Sequence, residues 1–139
     1  MVEKVDHLGV AVRSIENSLP FYTEVLGMKL LGMETVESQQ VKVAFLTAEN
    51  TKIELLEPSN ENSPVAKFIE KRGEGIHHVA YAVKNISESL ASLENQGIQL
   101  IDKTPRKGAG GAMIAFLHPK SSHGVLTELC EKRESGERN

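Results

Sequence analysis

The chain writes one strand pattern twice, and each copy carries the same two polar residues. Asp6-His7-Leu8-Gly9-Val10-Ala11-Val12 returns as His77-His78-Val79-Ala80-Tyr81-Ala82-Val83. Lys52-Ile53-Glu54-Leu55-Leu56-Glu57 returns as Leu126-Thr127-Glu128-Leu129-Cys130-Glu131. His7 pairs with His78 and Glu54 with Glu128 at an offset of roughly seventy residues, longer than the periods of solenoid repeats. A duplication of this kind folds into two like modules. Keeping two His and two Glu in register through it lets all four converge on one pseudo-twofold centre.

The alternation around each His supports that reading. Leu8, Val10 and Val12 share one strand face, while His7, Gly9 and Ala11 share the other. Val79, Tyr81 and Val83 repeat the first face, and His78, Ala80 and Ala82 repeat the second. Small residues beside a His leave space, which suits a His that looks into a pocket.

The rest of each half follows the same order. Ser14 caps an expected helix over Ile15 to Leu26, with Gly27 to end it and Pro20 inside it as a kink. Asn85 and Glu88 make a capping-box-like start for Ile86 to Gln96, ended by Gly97. Strands are expected around Lys29 to Gly32, Val41 to Leu46 and Ile53 to Leu56. The second half gives Ile98 to Ile101, Met113 to Leu117 and Val125 to Cys130. Each module therefore reads β-α-β-β-β, and the whole is an α+β chain whose curved mixed sheets surround a metal site.

Module 1 is expected over about 4–58 and module 2 over about 75–131, with a linker at 59–74 and a solvated tail at 132–139. Ser63-Pro64 opens a linker helix to about Lys71, and Gly108-Ala109-Gly110-Gly111 is a flexible loop without a phosphate-loop context. A single domain fits 139 residues, since each half alone would bury little surface. A formal net charge of -3 argues against nucleic acid, and no apolar run is long enough for a membrane span. Cys130 stands alone, so no intramolecular disulfide forms, and the expected compartment is the cytoplasm.

A lone strand His is ordinarily a satisfied core residue, and a lone strand Glu is ordinarily solvated. The register of the repeat changes that balance for His7, Glu54, His78 and Glu128. Two imidazoles and two carboxylates, without a thiolate, suit Co, Ni, Mn, Fe or Zn with two open positions. His77 and Asp6 point to the opposite strand faces and are not expected on the same ion. His118 and His123 lie in a turn-rich segment and read as solvated loop residues. No Ser-His-Asp or Cys-His arrangement suggests nucleophilic catalysis.

The paired modules with these four ligands resemble the vicinal oxygen chelate, or glyoxalase-type, superfamily over nearly the whole chain. Within it, Ile53-Glu54-Leu55-Leu56-Glu57-Pro58, Ser63-Pro64-Val65-Ala66-Lys67-Phe68, Gly75-Ile76-His77-His78-Val79-Ala80, Phe116-Leu117-His118-Pro119-Lys120 and Gly124-Val125-Leu126-Thr127-Glu128-Leu129 resemble the methylmalonyl-CoA epimerases. The resemblance implies a divalent ion, cobalt before zinc, manganese or nickel, and an acyl-CoA thioester epimerised through a metal-stabilised enolate. It implies a homodimer, and Glu128 as both ligand and proton carrier. Lys120 and Ser121 are read as substrate contacts, with Lys107 a further partner for CoA phosphate. Val43 stands where some members carry a catalytic Glu, and Glu37 lies nearby in a position that suits a surface role.

Other branches compete. Phe21 to Leu31 resembles the glyoxalase I-type lyases of lactoylglutathione or another thiol, but Ala11 stands where those often place an Arg. A ring-cleavage dioxygenase would want two His and one carboxylate, leaving Glu54 unexplained. A metal-free drug-binding protein of the same fold would need none of the four ligands.

Overall fold

The computed structural model describes residues 1–132; most of the expected tail, 133–139, lies outside the described residues. Eight strands run β1 Val2–Ala11, β2 Lys29–Val36, β3 Val41–Ala48, β4 Thr51–Pro58, β5 Gly75–Val83, β6 Arg106–Lys107, β7 Met113–Leu117 and β8 Thr127–Glu131. Three α-helices run α1 Ile15–Pro20, α2 Pro64–Arg72 and α3 Ile86–Asn95. The chain divides into two compact units, one of His7–His77 and one of Met1–Asp6 with the residues from His78 onward.

In the His7–His77 unit the strand order is β2-β3-β4-β1, with β1 parallel to β4 and the other pairs antiparallel. The register sets Gly9, Glu54 and Phe45 across from one another, and Ala11, Leu56, Val43 and Glu34 in the next row. Residues directly opposite share a face. The other face carries Val12, Ala44, Leu46 and Leu55, packed with Ile15 of α1 and with the partly buried Val10, Leu19, Tyr22 and Ile53. Each such Leu or Ile contributes about 2 kcal/mol by leaving water.

The other unit repeats the plan as β5-β8-β7-β6, with β5 parallel to β8. Ala80, Glu128 and Phe116 form one row, and Ala82, Cys130, Ile114 and Arg106 the next. Val83, Ala115, Leu117 and Leu129 cover the other face, against Ile86 and Leu90 of α3.

The last strand of each unit also caps a helix. Glu57 Oε1 accepts the Ile15 N–H at 2.8 Å, and Glu131 Oε1 accepts the Ile86 N–H at 2.9 Å. These are the first residues of α1 and α3, where backbone donors have no partner within the helix. A carboxylate there also meets the positive end of the helix dipole. Ser14 Oγ and Asn85 Oδ1 take the next donors, from Asn17 and Glu88, both at 3.0 Å.

Two expectations need correction. The helix read from Ile15 to Leu26 is α-helical only to Pro20 and continues as a π-helical turn over Phe21–Val25. Pro20 has no N–H to give, and its ring crowds the preceding turn. The chain widens instead, with Leu26 donating to Phe21 O at 3.0 Å and Met28 to Tyr22 O at 2.8 Å. Gly27, at φ +77°, then turns the chain out.

The strand read over Ile98 to Ile101 is reduced to a single bridge between Leu100 and Leu117. Asp102 is the reason. Its Oδ2 accepts the Phe116 N–H at 2.9 Å, while Ile101 and Asp102 N–H both reach Phe116 O. The side chain replaces the carbonyl that a continuing ladder would use. Pairing resumes at β6, where Arg106 faces Ile114.

Replacing Glu57 or Glu131 by Ala should each lower stability by about 1–2 kcal/mol, the loss of a capping acceptor at a helix start. Urea unfolding of each variant checks this, and an unchanged midpoint would deny the caps their role.

Candidate metal centre

A strand that places a His two residues before a small residue, beside a strand that places a Glu opposite that small residue, has one consequence. The carboxylate can lie across the small side chain and reach back to the imidazole. In the first unit Gly9 is opposite Glu54, and His7 Nδ1 lies 3.4 Å from Glu54 Oε2. In the second unit Ala80 is opposite Glu128, and His78 Nε2 lies 2.9 Å from Glu128 Oε1. Each sequence-matched His is thus brought to its own sequence-matched Glu.

Burial makes these pairs unusual. His7 and His78 are each 5% exposed and Glu128 is 4% exposed. A carboxylate held out of water needs a compensating partner. The donor set of each pair also fits a metal. Ligand atoms at 2.0–2.2 Å from a divalent ion and at right angles to each other are about 3 Å apart, close to the separation in each pair. Imidazole nitrogen with carboxylate oxygen is a donor set for Zn, Co, Mn or Fe.

The neighbours of each pair repeat as well. Phe45 lies opposite Glu54, and Phe116 opposite Glu128. The His78 and Phe116 rings meet edge to face, 5.5 Å apart at 87°. The signal for this second repeat stands in the sequence, where Val43-Ala44-Phe45-Leu46 returns as Ile114-Ala115-Phe116-Leu117. It is missed by attending to polar residues alone.

The excluded groups face elsewhere. The His77 ring packs on Phe68 of α2, centroids 5.0 Å apart, and Asp6 Oδ1 lies 3.6 Å from Lys132 Nζ. His118 Nδ1 accepts the Lys120 N–H at 3.0 Å and so caps the turn Pro119–Ser122. Ser121 Oγ accepts the Gln99 N–H at 2.8 Å, which ties that turn to the segment after α3. Lys120 and Lys107 are exposed, as is Glu37 in its short 3-10 turn.

Val43, where a carboxylate is absent, is 1% exposed, and Glu34 on β2 stands directly opposite it. Glu34 therefore shares the sheet face of Glu54. Sequence patterning does not reveal this, because the bulge between Leu30 and Gly32 shifts the register of β2. Arg106 is a second residue that sequence reasoning passes over. Its Nε bonds Asp102 Oδ1 at 3.1 Å, and its Cζ lies 5.8 Å from the Phe116 ring centre.

Duplicated β-α-β-β-β units, each with a buried His beside a Glu on the sheet face away from its helix, describe a glyoxalase-type protein. The family model for the Glyoxalase/Bleomycin resistance protein/Dioxygenase superfamily matches residues 6–116, and the chain belongs to that superfamily. An uncharacterized protein of Bacillus subtilis is 48% identical, the match covering 95% of this chain and 94% of that protein. The ethylmalonyl-CoA/methylmalonyl-CoA epimerase of Cereibacter sphaeroides is 37% identical, over 93% of this chain and 98% of that one. The structure of Streptomyces coelicolor methylmalonyl-CoA epimerase in complex with 2-nitronate-propionyl-CoA is 34% identical with a TM-score of 0.93, covering 96% and 97% of the two chains. The glyoxalase-like fold is thereby shown. No helix among the described residues is long and apolar enough to cross a membrane.

Removing His78 takes a hydrogen-bonding partner from a buried carboxylate and should cost about 1–3 kcal/mol. In chelator-treated protein, His78→Ala should unfold at lower urea, and His78→Ala with Glu128→Gln should recover part of the loss. A double variant no more stable than His78→Ala would contradict this.

Proposed function

We propose that this chain is a metal-dependent epimerase that interconverts the 2R and 2S forms of methylmalonyl-CoA. The observation that carries the reading is the buried His paired with a Glu in both modules of a chain whose relatives include named epimerases of that substrate. His7, Glu54, His78 and Glu128 would hold one divalent cation. Each unit brings one imidazole and one carboxylate to that role, His7 with Glu54 and His78 with Glu128, and cobalt is the first metal to test. When bound, such an ion supplies Lewis acidity toward a thioester carbonyl oxygen, which stabilises the charge that develops as the α-proton leaves.

The chain's own residues supply the rest. Glu128, held by His78 and packed beside Phe116, carries a proton to or from one face of the α-carbon. Inversion needs a second carrier on the other face. Glu34 takes that part in this proposal, because it stands opposite Val43 on the face that bears Glu54. Lys120 serves the substrate from the exposed turn, and Ser121 orders that turn through Gln99. A homodimer accompanies the proposal, since Phe21, Val25, Leu26, Leu31 and Met33 are all exposed apolar residues. Sedimentation velocity would show a species of twice the chain mass.

The deciding experiment is α-proton exchange. Methylmalonyl-CoA in deuterated water should gain deuterium with the cobalt-loaded protein and lose that gain with chelator. Absence of exchange in metal-loaded protein would sink the proposal and turn attention to thiol hemithioacetals. Glu128→Ala should slow exchange by about 10³-fold or more, and Glu34→Gln should slow epimerisation by about 10²-fold. With Glu34→Gln, exchange of one starting epimer should persist, because only one of the two carriers is lost.

A further inference from the structure

Arg106 belongs to neither the core nor the His–Glu pairs, yet it is held in place by two contacts. Its Nε donates to Asp102 Oδ1 at 3.1 Å. Asp102 is itself fixed, because Oδ2 accepts the Phe116 N–H at 2.9 Å and its side chain is only 16% exposed. The guanidinium then lies over the Phe116 ring, whose edge-to-face partner is His78. Among the described residues, Asp102 is the one acceptor that this guanidinium bonds, so Nη1 and Nη2 remain available at a side chain 40% exposed.

The register shows why this position matters. Arg106 closes the row Ala82, Cys130, Ile114, Arg106, on the face of His78 and Glu128. The matching row of the first unit is Ala11, Leu56, Val43, Glu34. Equivalent edge positions of the two modules thus carry opposite charges, a carboxylate in one and a guanidinium in the other. A surface arginine without function would be free to sample rotamers. Here a half-buried carboxylate and an aromatic face restrain it, which lowers the entropy lost when it grips a planar anion.

We propose that Arg106 binds the free carboxylate of the acyl group, with Asp102 as its positioning residue. This rests on the epimerase reading above. A guanidinium fork matches a carboxylate in two parallel bonds, and a stack on Phe116 presents that fork beside the His78–Glu128 pair. An oxyanion of CoA phosphate has related chemistry, so the test must separate the two sources.

Calorimetry with cobalt-loaded protein would compare methylmalonyl-CoA, propionyl-CoA and CoA. Wild-type protein should bind methylmalonyl-CoA more tightly than propionyl-CoA. Arg106→Met should weaken methylmalonyl-CoA by about 10- to 100-fold, the scale of lost hydrogen bonds to a charged group, and leave propionyl-CoA and CoA unchanged. Asp102→Asn should fall between, and Arg106→Lys should keep part of the discrimination. Equal weakening of all three ligands would assign Arg106 to phosphate or to structure and overturn the proposal, as would no change in any. Unfolding midpoints and cobalt content of each variant separate misfolding from lost contact. If wild-type protein exchanges no α-proton of methylmalonyl-CoA, the epimerase reading itself has failed. Exchange intact with unchanged discrimination in Arg106→Met rejects the arginine's role alone.

Discussion

The buried His–carboxylate contacts of both units depend on the two-residue period of a β-strand. In each unit a His stands two residues before a small residue, and a Glu from the parallel neighbour lies opposite that small residue. A larger side chain at Gly9 or Ala80 would occupy the space that the carboxylate crosses to meet its imidazole. The same period sends Glu57 and Glu131 to the far face, since each follows its strand's His-paired Glu by three residues. One short strand therefore supplies a carboxylate for the His on one side and a helix cap on the other. The two jobs are coupled by backbone geometry, and a slip of one residue would lose both.

That coupling explains how a small chain holds buried carboxylates. The helix-bearing face is filled by aliphatic side chains, with Leu46, Leu55 and Leu129 almost wholly withdrawn from water. Its burial offsets the cost of keeping Glu128 and two imidazoles out of solvent. The caps then tie α1 and α3 to the strands that bear Glu54 and Glu128, so helix docking and the placement of these carboxylates rely on the same backbone. The second row of the sheet face ends on edge strands, with Glu34 on β2 in one unit and Arg106 on β6 in the other.

Much of this was legible in the residues. The repeat announced two modules, the alternation assigned each His to a face with small neighbours, and Ser14, Asn85, Gly27 and Gly97 marked helix ends that the structure places nearby. The failures have physical causes. Pro20 signalled an interruption, but its outcome, a π-helical turn instead of a kink, follows from how the chain reaches Gly27. The apolar Ile98 to Ile101 looked like a strand until Asp102 claimed the Phe116 N–H. No local pattern states that a carboxylate will replace a ladder carbonyl.

The sequence by itself determined the repeat, with His7 matched to His78 and Glu54 to Glu128, and the strand face on which each His stands. Those follow from periodicity, which is local and survives in a one-dimensional string. Only the tertiary structure decided which residue stands across from which. Glu34 opposite Val43 depends on a bulge between Leu30 and Gly32, and Arg106 opposite Ile114 depends on where pairing resumes after Asp102. Register between distant strands is set by cross-strand hydrogen bonds and packing, and these exist only once the strands have met.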